Sequence, residues 1–130
     1  MNNDQSVLPY YSIGAHAIEA HQSIALAQEL MQEHGLRHLP VLEEDKVVGE
    51  VSERDLRVWG LRPDLGKSTS IRHIMIEDPF IIDPGAALDE VAKEMAERKL
   101  GCAIVVQAGR LVGMFTVTDA MRALARLSGS

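Results

Sequence analysis

Two stretches of the chain repeat apolar residues at intervals of three and four positions. One follows Ser23 and the other follows Asp83-Pro84-Gly85; their apolar residues are Ile24, Ala27, Leu30 and Met31, and Leu88, Val91, Ala92 and Met95. This spacing lines apolar side chains along one face of a helix. The pattern therefore predicts one amphipathic helix in each half of the chain.

Short apolar runs follow each predicted helix. They are rich in residues that favour β-structure, and they predict two strands in each half, at residues 39–42, 47–51, 103–106 and 111–115. The tetrapeptides 43–46 and 107–110 lie between the members of each pair and predict hairpin turns. Each half is thus expected to contain a β-hairpin.

A second helix is predicted to start near Ser52 in the first half and near Thr116 in the second. A short extended piece precedes each unit, around residues 13–18 and 80–82. The order in each half is helix, strand, strand, helix with a short leading strand. This order predicts an α+β fold.

The two halves are related by an internal repeat. An offset of 64 positions aligns them without a gap, and the identities include Ile18/Ile82, Met31/Met95, Glu33/Glu97, Leu36/Leu100, Val41/Val105, Val48/Val112, Gly49/Gly113 and Asp55/Asp119. We assign residues 7–60 to a first repeat, 61–70 to a connecting loop and 71–127 to a second repeat. Since about 60 residues form a marginal domain alone, the repeats are expected to share a core.

Composition narrows the class of protein. The 130 residues are 46% hydrophobic, as in a globular protein, and their net charge of −6 disfavours nucleic acid and anionic membranes as partners. The single cysteine, Cys102, cannot form an internal disulfide, and no apolar run approaches 18 residues. We therefore expect a cytoplasmic protein without a membrane span. The acidic excess lies in residues 1–64, so the surfaces of the two halves differ.

One motif occurs twice, each time where a strand is predicted to meet a helix. It reads Gly49-x-x-Ser52-x-x-Asp55 and, 64 residues later, Gly113-x-x-Thr116-x-x-Asp119. One interpretation is a capping box, in which the hydroxyl and the acid satisfy free backbone N–H groups. The other is a ligand site, in which the helix start binds phosphate and the carboxylate accepts hydrogen bonds from a ribose diol. Both interpretations can hold together.

The repeat, the element order and the paired motifs together resemble the cystathionine β-synthase (CBS) domain pair, also called the Bateman module. The segment Ile71-Arg72-His73-Ile74-Met75-x-x-x-Pro79 is similar to the family's usual opening, and the resemblance covers about residues 7 to 127. It implies tandem CBS repeats packed with pseudo-two-fold symmetry. It also implies two clefts between the repeats for AMP, ADP, ATP or S-adenosylmethionine, bound as a regulatory ligand rather than a required cofactor.

The resemblance assigns roles to particular positions. Asp55 and Asp119 would bind ribose hydroxyls, and Ser52 and Thr116 would contact phosphate. The adenine would lie against two strand segments, His38-Leu39-Pro40 and Cys102-Ala103-Ile104. All of these assignments are expectations.

The repeats depart from each other at two places. The first has Tyr11-Ser12-Ile13-Gly14-Ala15 where the second has Met75-Ile76-Glu77-Asp78-Pro79, so one pocket wall is expected to differ. Arg54 could pair with a phosphate, whereas the matching Thr118 offers only a hydroxyl. The two sites are therefore expected to differ in affinity, although a solvated Arg54 is an equal alternative.

Few features of the sequence indicate metal binding, a reactive thiol or catalysis. The five histidines, His16, His21, His34, His38 and His73, have no recognised metal-ligand spacing, so no metal site is expected. Cys102 is expected to be an inert buried thiol. The chain has no phosphate-binding loop, dinucleotide fingerprint or nucleophile elbow, which argues against an enzyme.

The resemblance, together with the paired motifs, favours a stand-alone sensor that binds an adenosine-containing ligand and signals to an unidentified effector protein. The resemblance also implies a homodimer through helices, and residues 120–127 are the candidate surface. Two alternatives remain open. One is a ligand-free dimerising scaffold, and the other is a regulatory subunit for an enzyme or transporter encoded elsewhere.

Overall fold

The computed structural model describes residues 5–129 and confirms the α+β architecture. The strands are β1 (Ser12–Ile13), β2 (Ile18–Glu19), β3 (His38–Glu43), β4 (Lys46–Ser52), β5 (Ile81–Ile82), β6 (Cys102–Gln107) and β7 (Arg110–Thr116). The helices are α1 (Ile24–His34), α2 (Glu53–Trp59), α3 (Leu88–Arg98) and α4 (Val117–Leu127). A short 3₁₀ helix, which the sequence pattern did not predict, spans Ile71–His73.

The chain forms two compact units. The first unit is His16–Pro79, and the second combines the described residues up to Ala15 with those from Phe80 onward. These are units of packing, whereas the predicted repeats are units of sequence similarity. Among the described residues, no helix has the length and apolar character needed to cross a membrane.

The first unit is built on a three-stranded sheet in the order β2-β3-β4. β2 pairs with β3 in parallel, and β3 pairs with β4 antiparallel. Leu39, Val41 and Val51 alternate along the strands on the face that packs against α1 and α2, and they are fully buried. α1 starts at an N-cap, where the Leu26 N–H donates to Ser23 Oγ at 3.2 Å.

The second unit is built on a four-stranded sheet in the order β1-β7-β6-β5. Its core contains Ala103, Val105 and Phe115 from the sheet with Val91 and Met95 from α3. β1 pairs antiparallel with β7, so the segment that opens the first repeat completes the sheet of the second unit. In the first unit, likewise, Ile76 of the second repeat's opening segment bridges to Glu50 of β4.

Both predicted hairpins are present. The turn residues Glu44 and Asp45 have φ values of 51° and 66°, and Ala108 and Gly109 have φ values of 52° and 76°. Two consecutive positive φ values match a type I′ turn, whose twist suits paired strands. Each turn sends the second strand toward the helix that carries the repeated motif.

Candidate functional site

The repeated motif lies at a strand-to-helix junction in each unit, as predicted. β4 ends at Ser52, which caps α2, and β7 ends at Thr116, which caps α4. Both capping residues have extended backbone conformations, with φ of −111° and −104°. The hydroxyls therefore lie at the helix starts, where free backbone N–H groups need acceptors.

The motif glycines allow a second segment to approach the strand closely. A methyl group on Gly49 would lie 2.7 Å from the carbonyl oxygen of Ile76 and 2.8 Å from Met75 Sδ. A methyl group on Gly113 would lie 2.3 Å from the carbonyl oxygen of Ser12. The first motif is thus flanked by Met75-Ile76 and the second by Tyr11-Ser12. The repeat alignment alone did not reveal which opening segment packs against which motif.

In the first motif, the cap and the carboxylate act separately. The Asp55 N–H donates to Ser52 Oγ at 3.0 Å. Asp55 is half-buried, and within residues 5–129 its carboxylate takes part in no hydrogen bond or ion pair. The capping interpretation therefore accounts for Ser52 and leaves the Asp55 carboxylate with unused acceptor capacity.

In the second motif, the carboxylate is engaged on both oxygens. The Thr116 N–H donates to Asp119 Oδ2 at 2.9 Å, and the Asp119 N–H donates to Thr116 Oγ1 at 3.3 Å, which completes a capping box. The Thr116 hydroxyl lies 3.1 Å from the same Oδ2. Arg122 Nη1 donates to Oδ1 at 3.1 Å, and Asp119 is only 3% exposed.

Sequence reasoning missed Arg122, which contacts the Asp119 carboxylate of the second motif. Its separation from Asp119 is three positions, a spacing at which an acid and a base meet on a helix surface. At the equivalent place the first repeat has Val58, which is 58% exposed. The three-residue spacing between this acid and the arginine on α4 was the signal that could have identified the contact.

The predicted base-contacting residues divide between the two faces of each sheet. Leu39 and Ala103 pack in the two hydrophobic cores. The strand alternation directs the remaining four toward the opposite face: His38, Pro40, Cys102 and Ile104. His38 pairs with Ser52 in register and Cys102 pairs with Thr116, so each strand begins beside its helix cap.

Two polar groups share the His38 face of the first unit. His38 Nδ1 is buried and has no hydrogen-bond partner among the described residues. A carboxylate oxygen of Glu50, a buried residue on β4, lies within 4.8 Å of one ring nitrogen of His38. This face therefore offers hydrogen-bonding groups, whereas the matching face of the second unit carries Cys102, Ile104 and Met114.

Arg54 and Thr118 are both exposed in the first turn of their helices. Within the described part of the chain, the Arg54 guanidinium makes no ion pair. A groove of about 310 Å³ lies elsewhere in the first unit, lined by Gln28, Met31, Gln32, Glu53, Leu56 and Arg57. The motif residues Ser52 and Asp55 do not line it.

Comparison with known proteins identifies related sequences. The family model of the CBS domain matches residues 14–61 and again residues 71–126. The chain is 27% identical over 113 residues to Hypoxic response protein 1 of Mycobacterium tuberculosis (strain ATCC 25618 / H37Rv), covering 85% of this chain and 79% of that protein. It is 33% identical over 103 residues to inosine-5'-monophosphate dehydrogenase of Korarchaeum cryptofilum, covering 78% of this chain and 21% of that enzyme.

Solved structures share the fold. The CBS domain pair of protein MJ0100, in complex with 5-methylthioadenosine and S-adenosyl-L-methionine, has a TM-score of 0.85 at 23% identity and covers 94% of this chain and 97% of its own. CBSX2 in complex with AMP has a TM-score of 0.81 at 24% identity and covers 95% of this chain and 98% of its own. At these identities the likeness establishes the fold.

Proposed function

The chain belongs to the CBS-domain family, and on that premise we propose that it is a regulatory sensor of an adenosine-containing ligand, with AMP, ADP or ATP preferred. The observation that carries the proposal is the half-buried Asp55 carboxylate, which no described residue engages. Two structures with the same fold hold adenosyl compounds, AMP in one and 5-methylthioadenosine with S-adenosyl-L-methionine in the other.

Asp55 is the proposed ribose-binding group of the first motif. A carboxylate has about four acceptor positions, and a vicinal diol needs two of them. Hydrogen bonds to a charged acceptor contribute about 1.5 to 3 kcal/mol each. Asp119 is the corresponding group of the second motif, although its acceptor positions are largely occupied by Thr116 and Arg122.

The phosphate is proposed to meet the helix start. Ser52 Oγ accepts the Asp55 N–H, which leaves its hydroxyl hydrogen available to donate to a phosphate oxygen. Arg54 is exposed one residue before Asp55 and can turn toward the same anion. Thr116 and Thr118 take the matching positions of the second motif, where Thr118 brings no charge.

The base is proposed to lie along the strand segments that begin beside the caps. In the first unit these are His38, Leu39 and Pro40, and in the second they are Cys102, Ala103 and Ile104. The buried, unpartnered Nδ1 of His38 supports a polar contact on the first face. Leu39 and Ala103 contribute through the packing that positions their neighbours.

Sensing follows from differential affinity. A ligand that binds one arrangement of the protein more tightly shifts the population toward it, by no more than the difference in binding free energy. The proposal attributes no catalytic step to the chain and no required cofactor. The signal would pass to an effector protein.

Thermal denaturation with AMP, ADP, ATP, S-adenosylmethionine and NADH tests the proposal. A ligand at 100 times its Kd adds about 2.7 kcal/mol of stability, which raises Tm by roughly 10 °C for a chain of this size. A selective shift that is lost in Asp55→Ala supports sensing. Equal Tm values with and without every ligand in the panel would contradict it.

A dimerising scaffold is the second candidate function, and one observation favours it. Val117, Met121, Leu124 and Leu127 lie on α4 at spacings of three and four, and each is 50% exposed or more. Such an apolar stripe on an exposed helix face favours a partner surface, here a second copy of the chain. Light scattering of the wild type and Met121→Lys tests it, because a dimer through α4 should dissociate in the variant.

A further inference from the structure

The two Asp carboxylates of the repeated motifs differ in how many acceptor positions remain open. Asp119 Oδ2 already accepts from the Thr116 N–H and lies within hydrogen-bond distance of the Thr116 hydroxyl, and Oδ1 accepts from Arg122. Three of its roughly four acceptor positions are therefore used. Asp55 uses none of its carboxylate positions within the described residues.

This count limits what Asp119 can bind. A ribose diol donates two hydrogen bonds, so it cannot be accepted in full while Arg122 occupies Oδ1. Removing Arg122 would open that oxygen without touching the capping box, which uses Oδ2 alone. The Arg122 side chain is 66% exposed, so solvent can hydrate its guanidinium when it leaves the carboxylate.

We propose that Arg122 is a positioning residue that holds the Asp119 carboxylate in its capping arrangement, so that the first motif takes the ribose diol in preference to the second. The inference rests on the proposed function and adds to it an order of occupancy. Arg122 acts as an internal competitor that the ligand must displace. The first repeat has no such competitor, because Val58 stands at the equivalent position.

Isothermal titration with AMP as the probe tests this order, with the second motif isolated in an Asp55→Ala background. Adding Arg122→Met should tighten the residual binding about two- to fivefold, because the diol then no longer competes with the largely exposed arginine for Oδ1. Arg122→Lys, which keeps the charge, should leave the residual affinity close to that of Asp55→Ala alone. Circular dichroism and Tm of each variant report whether it is folded.

A matched change in the first repeat provides the reciprocal test. Val58→Arg places an arginine three residues after Asp55, on an exposed position that has room for it. It should weaken AMP binding to the otherwise wild-type chain by about two- to fivefold. Val58→Met, similar in length and uncharged, should bind as the wild type does.

The outcomes separate this inference from the function on which it rests. Tighter binding on Arg122→Met together with weaker binding on Val58→Arg supports the competitor role. Unchanged or weaker residual binding on Arg122→Met, with AMP still binding the wild type, overturns the role and leaves the proposed sensor in place. Absence of AMP binding to the folded wild type overturns both.

Discussion

The two repeats carry the same motif at the same spacing, yet the motif carboxylates differ in their burial and in their hydrogen bonds. Asp55 is half-buried with an unengaged carboxylate, whereas Asp119 is buried and bonded to Thr116 and Arg122. The residue three positions later, Val58 or Arg122, accounts for part of the difference. A shared motif therefore specifies where the helix starts, whereas residues outside the motif determine whether its acid is available to a ligand.

The surroundings of the motifs also differ. A backbone carbonyl oxygen lies against each motif glycine, from Ile76 at Gly49 and from Ser12 at Gly113. The side chain beside it differs, because Gly49 faces the flexible Met75 and Gly113 faces the Tyr11 ring. The outer face of α2 carries the Glu53–Arg57 ion pair, while the matching positions of α4 are Val117 and Met121. The first repeat thus combines an open acid with a polar helix face, and the second combines an engaged acid with an apolar one.

The largest expected effect comes from filling the space beside the motif glycines. Gly113→Ala would force its methyl group to within 2.3 Å of the Ser12 carbonyl oxygen, so β1 must move away from β7. We expect a loss of about 3 kcal/mol in the free energy of unfolding, at the upper end for overpacking. Urea denaturation measures it.

Gly49→Ala is the matched change in the first repeat. Its methyl group would meet Met75 Sδ, which can rotate away, and the Ile76 carbonyl oxygen at 2.7 Å. We expect a smaller loss of about 1 to 2 kcal/mol. A larger loss for Gly49→Ala than for Gly113→Ala would contradict this account of the two flanking segments.

The second expected effect is on ligand binding. Asp55→Ala should weaken AMP binding by about 1.5 to 3 kcal/mol, because the proposed diol loses a charged acceptor. Stability should change little, since the Ser52 cap uses the backbone N–H of residue 55 rather than its carboxylate. Calorimetric titration and urea denaturation of the same preparation separate the two quantities. Unchanged affinity would remove Asp55 from the site.

The third expected effect is on stability in the second repeat. Asp119→Ala breaks the capping box and leaves the Thr116 N–H without its acceptor, which should cost about 1 to 2 kcal/mol. Denaturation of the ligand-free protein measures this cost beside that of Asp55→Ala. Equal losses in the free energy of unfolding for the two substitutions would contradict this account, because they would show that the Asp119 carboxylate stabilises the fold no more than the Asp55 carboxylate does.

Much of this architecture could be predicted from the sequence. Apolar spacing located α1 and α3, the two apolar runs located β3 and β6, and Ser52 and Thr116 marked the starts of α2 and α4. These features are local, because capping and side-chain periodicity depend on residues a few positions apart. The type I′ turns at Glu44-Asp45 and Ala108-Gly109 also lie between strands that the pattern had identified.

The remaining features depend on contacts between distant residues. The repeat alignment could not show that β1 pairs with β7, or that Ile76 bridges to Glu50, because it relates each opening segment to its own repeat. The engagement of Asp119 depends on the rotamers of Arg122 and Thr116 as well as on their spacing. Because Asp55 and Asp119 occupy equivalent positions in the two repeats, we assigned them the same role. In the structure their carboxylates differ in the hydrogen bonds that they make.

The smallest expected effect is confined to the first unit and depends on pH. Hydrogen bonds from Arg62 lower the pKa of Asp64 below its ordinary value, and the Arg62 guanidinium also lies 5.2 Å from the Trp59 ring. A carboxyl group with a lowered pKa in the folded state stabilises the protein above its unfolded pKa, near 4, and loses that contribution as the pH falls.

The wild type should therefore have a slightly higher Tm than Asp64→Asn at pH 7. The difference should decrease as the pH falls below about 4 toward the folded-state pKa of Asp64, and it should shrink in 1 M salt because both side chains are half-exposed. The second repeat has Ser128 at the position of Asp64, so Ser128→Ala provides the control and should show no such pH dependence. A Tm difference for Asp64→Asn that stays constant between pH 7 and pH 3 would show that the loop is held by packing rather than by charge.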